Sequence, residues 1–135
     1  MESELSKYDQ KSLTELGIKK PSSSIESSLV KACSLALDVK LNELKNGDLR
    51  MLISQEIGLE FLIPKALERL EDEPFLDGGF YQGDLLAAVV SVSVQFWENN
   101  TELNNQLVEI KLRIEEIIET INDEIMPNLG KFEYK

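Results

Sequence analysis

Apolar residues along this chain recur every three or four positions, the period of amphipathic helices. In PSSSIESSLVKACSLAL, Ser23 stands three residues before Glu26, the spacing of a capping box, and Leu29, Val30, Cys33 and Leu37 follow at helical intervals. In NGDLRMLISQEIG, Asn46 or Asp48 can accept orphan backbone N–H groups at a helix start. Leu49, Leu52 and Ile53 share a face there, and Gly58 suits the C-terminal end. A third helix is predicted in LEFLIPKALERLEDEP. Proline is tolerated in a first turn but not in mid-helix, so Pro64 puts the start near Leu62. Its inner face is Ile63, Ala66, Leu67 and Leu70, and Pro74 closes it.

Farther along, Asp84 repeats the device of Asp48, an acid at a helix start within a Gly-Asp-Leu triplet. VVSVSV alternates like a strand but has no evident strand to pair with. The prediction is a helix that breaks near Ser91 or Ser93, then a short turn carrying Phe96 and Trp97. After Thr101, a good N-cap, the residues Leu103, Leu107, Ile110, Ile114, Ile117 and Ile121 are spaced 4, 3, 4, 3 and 4. They form one seam on a helix of about 25 residues, stopped by Pro127. The seam can build a homodimeric coiled coil or pack on its own domain, and the shorter helices' need for a partner favours the second. The expected product is an all-α, single-domain bundle of about five helices with a long C-terminal helix. It occupies residues 22–130, after a polar arm at 1–21 anchored by Leu13, Leu16 and Ile18 and before a tail at 131–135.

Composition narrows what such a bundle can do. A chain of 135 residues suits one core, and 42% apolar content suits a folded one. The net charge of −11, from 25 acids against 14 bases, repels phosphate backbones and anionic headgroups, so neither nucleic acid nor membrane is expected as a direct partner. It attracts a basic protein and speeds the encounter, although acidity can also serve solubility alone. Cys33, the single cysteine, excludes an intrachain disulfide, suits a reducing cytoplasm and sits where a small core residue belongs. MESELSKYDQ has no signal-peptide character, and no apolar run approaches a membrane span.

Chemistry is scarce. With no histidine, the commonest general base and metal ligand is missing, and no phosphate-binding glycine loop, nucleophile elbow or HExxH is present. The acids between Asp72 and Asp84 do not follow the EF-hand order. Neither catalysis, a metal nor a cofactor is expected.

Charge placement is the remaining signal. LEDEPFLDGGFYQGDLL, Leu70 to Leu86, holds five carboxylates, three glycines and three aromatics without one base. From Glu71 to Ile110 there are eight acids and no lysine or arginine. Glu71, Asp72 and Glu73 crowd a helix C-terminus, where each anion is unfavourable by roughly 0.3–1 kcal/mol before screening, so stability alone would prefer lysine. The alternative is that solvent screens the cost. Phe80 and Tyr81 follow two glycines, and adjacent residues of an extended loop point opposite ways, with Tyr81 expected outward. Glu71, Asp72, Glu73, Asp77, Tyr81 and Asp84 are therefore the candidate residues for binding a cationic partner, with capping the competing role for Asp84.

The stretch from Asp48 to Trp97 resembles the immunity proteins of bacterial contact-dependent growth inhibition (CDI) systems. The resemblance is carried by Asp48-Leu49-Arg50, Ile53 and Gln55, Gly58-Leu59, Pro64-Lys65-Ala66-Leu67, Pro74, Tyr81-Gln82-Gly83-Asp84-Leu85-Leu86 and Phe96-Trp97. Val89-Val90 departs from the pattern, and the isoleucine-rich tail lies outside it. The resemblance implies a cytoplasmic protein that binds and blocks the cognate toxin domain delivered by neighbouring cells. Many such toxins are nucleases with basic surfaces, for which an acidic inhibitor is the complement. An acidic helical protein that oligomerises through its isoleucine seam is the alternative. The matching residues read mainly as frame, with Arg50, Gln55 and Trp97 able to tie helices together from inside.

Overall fold

The computed structural model describes residues 6–21 and 27–135, and every regular element of more than three residues among them is an α- or π-helix. They are α1 (Ser28–Ala36), α2 (Asn46–Ser54), α3 (Leu59–Asp72), α4 (Asp84–Val90), α5 (Val94–Asn99) and α6 (Thr101–Thr120). A π turn, Ile121–Ile125, then leads into α7 (Met126–Leu129). The all-α class and the long C-terminal helix are those the apolar period predicts. α3 is the spine: it packs against α2, α4 and α6, and Leu62, Ile63, Ala66, Leu67 and Leu70 are fully buried.

Local chemistry sets the ends of the helices. The Ser23–Glu26 spacing falls outside the described residues, and α1 is capped by Ser27, whose Oγ accepts the Val30 N–H at 3.1 Å. Leu29 points outward, and the buried face of α1 is Cys33, Ala36 and, just beyond, Leu37. Burial pushes the Cys33 thiol up from its ordinary value, which keeps it protonated and inert. At α2 the Asp48 carboxylate accepts the Lys45 N–H at 3.0 Å. Gly58, with φ of 64°, opens α3 instead of closing α2. α3 thus starts at Leu59, three residues before the expected Leu62, and Pro64 lies inside it. The carbonyl left without a donor belongs to exposed Glu60, where solvent can satisfy it.

The segment at 6–21 is stitched to the bundle. Leu13 is fully buried, Leu41 N–H donates to the Lys11 carbonyl at 3.0 Å, and Tyr8 meets Phe61 edge-on at 5.2 Å. Lys65 is buried with Nζ 3.1 Å from Asp9 Oδ1 and 3.7 Å from Glu68 Oε2.

Where VVSVSV alternates, the helix does break: α4 ends at Val90 and α5 begins at Val94. Phe96 and Trp97 ride on a short helix, not a turn, with their rings edge-to-face at 5.2 Å, and Trp97 is half-buried. Thr101 is the first residue of α6 and Asn100 holds the cap position, its Nδ2 donating back to the Phe96 carbonyl at 2.8 Å.

The seam on α6 packs on its own domain for only half its length. Ile110 is buried and Leu103, Leu107, Ile114 and Ile117 are half-buried, but every residue from Ile118 onward is exposed. Pro127 does not stop the helix either. Its ring would clash with the carbonyl four residues back, and the preceding turn widens to π geometry, so helical backbone continues to Leu129. From Thr101 that is about 43 Å at ~1.5 Å per residue. No helix among the described residues is long and apolar enough to cross a membrane.

Removing Asp9 leaves the Lys65 ammonium buried with only a distant partner. Asp9→Ala is therefore expected to cost about 1–3 kcal/mol in a urea titration, whereas Lys65→Met, which removes the charge as well, should cost less.

Candidate functional site

The connection from α3 to α4 is built by an alternation that faces inward and outward in turn. Pro74, Leu76 and Gly78 are buried while Phe75, Asp77 and Gly79 are exposed, so this short extended strip is pegged to the core along one edge. Leu76 N–H donates to the Glu73 carbonyl at 3.3 Å and Gly83 N–H to the Leu76 carbonyl at 3.1 Å. Asp77 and Gln82 form an isolated antiparallel bridge, and Asp77 Oδ1 accepts the Gly79 N–H at 2.6 Å.

Asp84 fastens this loop from beneath. Only 3% exposed, it accepts the Gly78 N–H at 2.5 Å through Oδ1 and the Phe80 N–H at 2.9 Å through Oδ2. Arg50 reaches across from α2 with Nε 3.1 Å from the Gly78 carbonyl and 3.7 Å from Asp84 Oδ2, and its guanidinium stacks 3.8 Å from the Phe80 ring. Burial alone would push the Asp84 carboxyl up. The N–H groups of Phe80, Gly78 and Tyr81, together with the Arg50 charge, outweigh it and hold the carboxyl below the ordinary value. Gly78 must be glycine: a Cβ there would lie 2.7 Å from Asp84 Oδ1. Gly83, at φ of 96°, turns the chain into α4 through a backbone conformation that side chains disfavour.

Asp84 is therefore not a surface acid. Its carboxylate is engaged inside the protein, and it does not cap α4 as expected: Gly83 holds the cap position without a side-chain bond, and the Asp84 oxygens accept N–H groups of the preceding loop instead. The other candidates lie outside. Glu71, Asp72, Glu73 and Asp77 are exposed, as is Tyr81 at 57%. Phe80 is not the loop's inner anchor opposite Tyr81, because at 73% it is more exposed still, held by Arg50 under one face. Phe75 is also exposed, so the connection bears three exposed aromatic rings with Glu73 and Asp77, just beyond the exposed Glu71 and Asp72 at the end of α3.

The lack of bases between Glu71 and Ile110 is relieved from elsewhere in the chain. Arg113 of α6 donates to the Glu71 carbonyl, placing a cation against the negative end of α3, and Arg69 in the last turn donates to the Leu44 carbonyl at 2.7 Å. The helix terminus is thereby compensated while the three side-chain carboxylates stay open to solvent.

Beside the loop a cavity of about 330 Å³ is lined by Arg50, Ser54, Glu56, Phe80, Tyr81 and Asp84, with small residues of α4 at its floor. Glu56 has a φ of 53°, the sole positive φ outside glycine among the described residues, and its Oε1 accepts the Ser93 hydroxyl at 3.0 Å. Sequence reasoning missed Glu56, because nothing in a pattern marks a left-handed glutamate. Gln55 is exposed and ties nothing together, whereas Arg50 does. Among the described residues no group of three or more His, Cys, Asp and Glu is placed to hold a metal ion. The Asp84 carboxyl, saturated by donors, has no proton to give near neutral pH.

The sequence model of one protein family, described as CDI immunity proteins, matches residues 12–107. That span runs from the buried N-terminal anchor to the first docked turns of α6 and contains the whole loop. No curated protein and no solved structure matches this chain.

Asp84→Asn keeps one acceptor but sets an amide donor against an N–H, with an expected cost of about 2–4 kcal/mol in urea unfolding at neutral pH. The native carboxyl lies below its unfolded value, so its stabilisation is complete above the unfolded value near pH ~4 and is lost as pH falls through the native one. Urea titrations from pH 6 to pH 2 should accordingly show a smaller acid-induced loss of stability for Asp84→Asn than for the wild type.

Proposed function

The chain belongs to the CDI immunity protein family, a membership that implies toxin neutralisation, and from that premise we propose that it neutralises its cognate toxin by binding a basic, nuclease-type domain through the acidic aromatic loop. The single observation that carries the site is the exposure of Glu71, Asp72, Glu73 and Asp77, at the end of α3 and just after it, together with Phe75, Phe80 and Tyr81 on the connection that Asp84 fastens. Carboxylates steer a cationic surface inward and fix its register, and exposed aromatic rings supply contact area at little cost in side-chain entropy. A loop held rigid before binding loses less freedom on binding. A nuclease must carry cations to hold phosphate, and these are the groups that such a loop would cover.

In this reading the protein is an inhibitor with no catalytic step of its own, acts in the cytoplasm where the incoming toxin meets its substrate, and needs no cofactor. Protein charge makes direct contact with nucleic acid unfavourable.

The triple variant Glu71→Lys/Asp72→Lys/Glu73→Lys should leave helical circular dichroism unchanged and slow association with the cognate toxin domain about tenfold at low salt. Stopped-flow mixing across a salt series reads both effects, with the wild-type rate falling as salt rises. An unchanged on-rate removes this cluster from the interface.

A further inference from the structure

The cavity beside the acidic loop carries a glutamate that stability alone would not place there. α2 ends on Ser54, and the turn that follows returns the Glu56 N–H to the Ile53 carbonyl at 2.9 Å and the Ile57 N–H to the Leu52 carbonyl at 3.0 Å. Those two bonds make a Schellman motif, whose left-handed residue is most often glycine. Glu56 fills that position at φ of 53°, and its carboxylate adds an anion to the negative end of α2. Backbone and dipole both oppose it. The bond it accepts from the Ser93 hydroxyl is exposed and competes with water, so it offsets little of that cost.

The lining selects what can enter. Ser54 Oγ donates to the Arg50 carbonyl at 2.7 Å and Ser91 Oγ to the Ala87 carbonyl at 2.8 Å. Both hydroxyl protons are therefore committed to their own helices, and each oxygen offers the cavity a lone pair. Arg50, the one base of the lining, has its Nε on the Gly78 carbonyl, its guanidinium on the Phe80 ring and Asp84 Oδ2 3.7 Å from Nε. The Arg50 and Asp84 charges cancel, which leaves Glu56 as the net charge of the lining. An anion would meet that charge unpaired. A cationic donor instead finds acceptors and two rings, Phe80 and Tyr81, whose faces attract it. The cavity's volume of about 330 Å³ is near the lower end of ligand sites and suits one long side chain.

We propose that this cavity is the subsite for a single lysine or arginine side chain of the toxin domain, with Glu56 as its counter-charge and Phe80 and Tyr81 as its walls. The subsite rests on the loop's role in toxin binding and has a different share in it. The exposed acids steer the encounter, whereas Glu56, covered once the complex forms, holds the partner in place.

Biolayer interferometry with the full chain and the cognate toxin domain reads the two shares separately. Glu56→Gln keeps the shape and removes the charge, so it should speed dissociation about tenfold and change association by less than about twofold. Glu56→Gly should speed dissociation as much while its urea midpoint stays at or above the wild type's, because glycine takes the left-handed turn without strain. When the toxin domain's lysines and arginines are replaced one at a time by methionine, one replacement should lose roughly fivefold of its effect on affinity in the Glu56→Gln background. Dissociation of Glu56→Gln at the wild-type rate overturns the subsite, and so does the absence of any coupled toxin residue. A Glu56→Gly midpoint below the wild type's also overturns it, since the carboxylate would then serve the frame. Failure of the loop's steering role shows instead in the association rate of Glu71→Lys/Asp72→Lys/Glu73→Lys, so the two failures are distinguishable.

Discussion

A buried carboxylate accepting two N–H groups from a loop, with an arginine closing the triangle, is the contact on which the exposed chemistry of this protein rests. Asp84 sits at the first turn of α4, Gly78 and Phe80 belong to the loop, and Arg50 comes from α2. The cluster therefore joins two helices to a segment whose own hydrogen bonds are few and local. Each member also needs the others. Without Arg50 the carboxylate would be buried with less compensation, and without the carboxylate the N–H groups of Gly78 and Phe80 would lose their acceptor. Glycine at 78 is what allows the approach at all, since any side chain would occupy the carboxylate's place.

This arrangement separates two populations of acid that look alike in sequence. Asp84 and Asp48 face backbone donors and serve the frame. Glu71, Asp72 and Glu73 face water, and the electrostatic cost of their helix terminus is offset from a distant element, by Arg113 at the Glu71 carbonyl. Local charge patterning overstated how uncompensated that terminus is. What stays uncompensated is the side-chain layer above it, which is the layer a partner would meet.

Much of the fold was legible because it follows from period alone. The inner faces of α2 and α3, the break after α4 and the seam on α6 all come from apolar spacing and a few punctuating residues. Where the structure departs from these patterns, a single residue type has more than one use. Gly58 closes a helix in one context and opens one in another. Pro64 and Pro127 read as boundaries, yet both lie within helical backbone because an exposed carbonyl and a widened turn absorb the missing N–H. At the loop, the acids and aromatics were visible as a cluster, but which pointed inward depended on Arg50, 28 positions away from Gly78. No local pattern encodes that distance. The exposure of Phe80 had the same origin, since a ring can stand in solvent when a guanidinium supports one side of it.

The division of labour along α6 has an evolutionary reading. Its first half is bound into the core through Ile110, so substitutions there are felt by the whole molecule. The helical backbone from Ile118 onward is exposed throughout and contributes little to holding the bundle together. Selection can rewrite that distal portion with little penalty to foldedness, which makes it the cheapest place for the lineage to acquire, retune or discard a molecular acquaintance while the inherited scaffold stays intact.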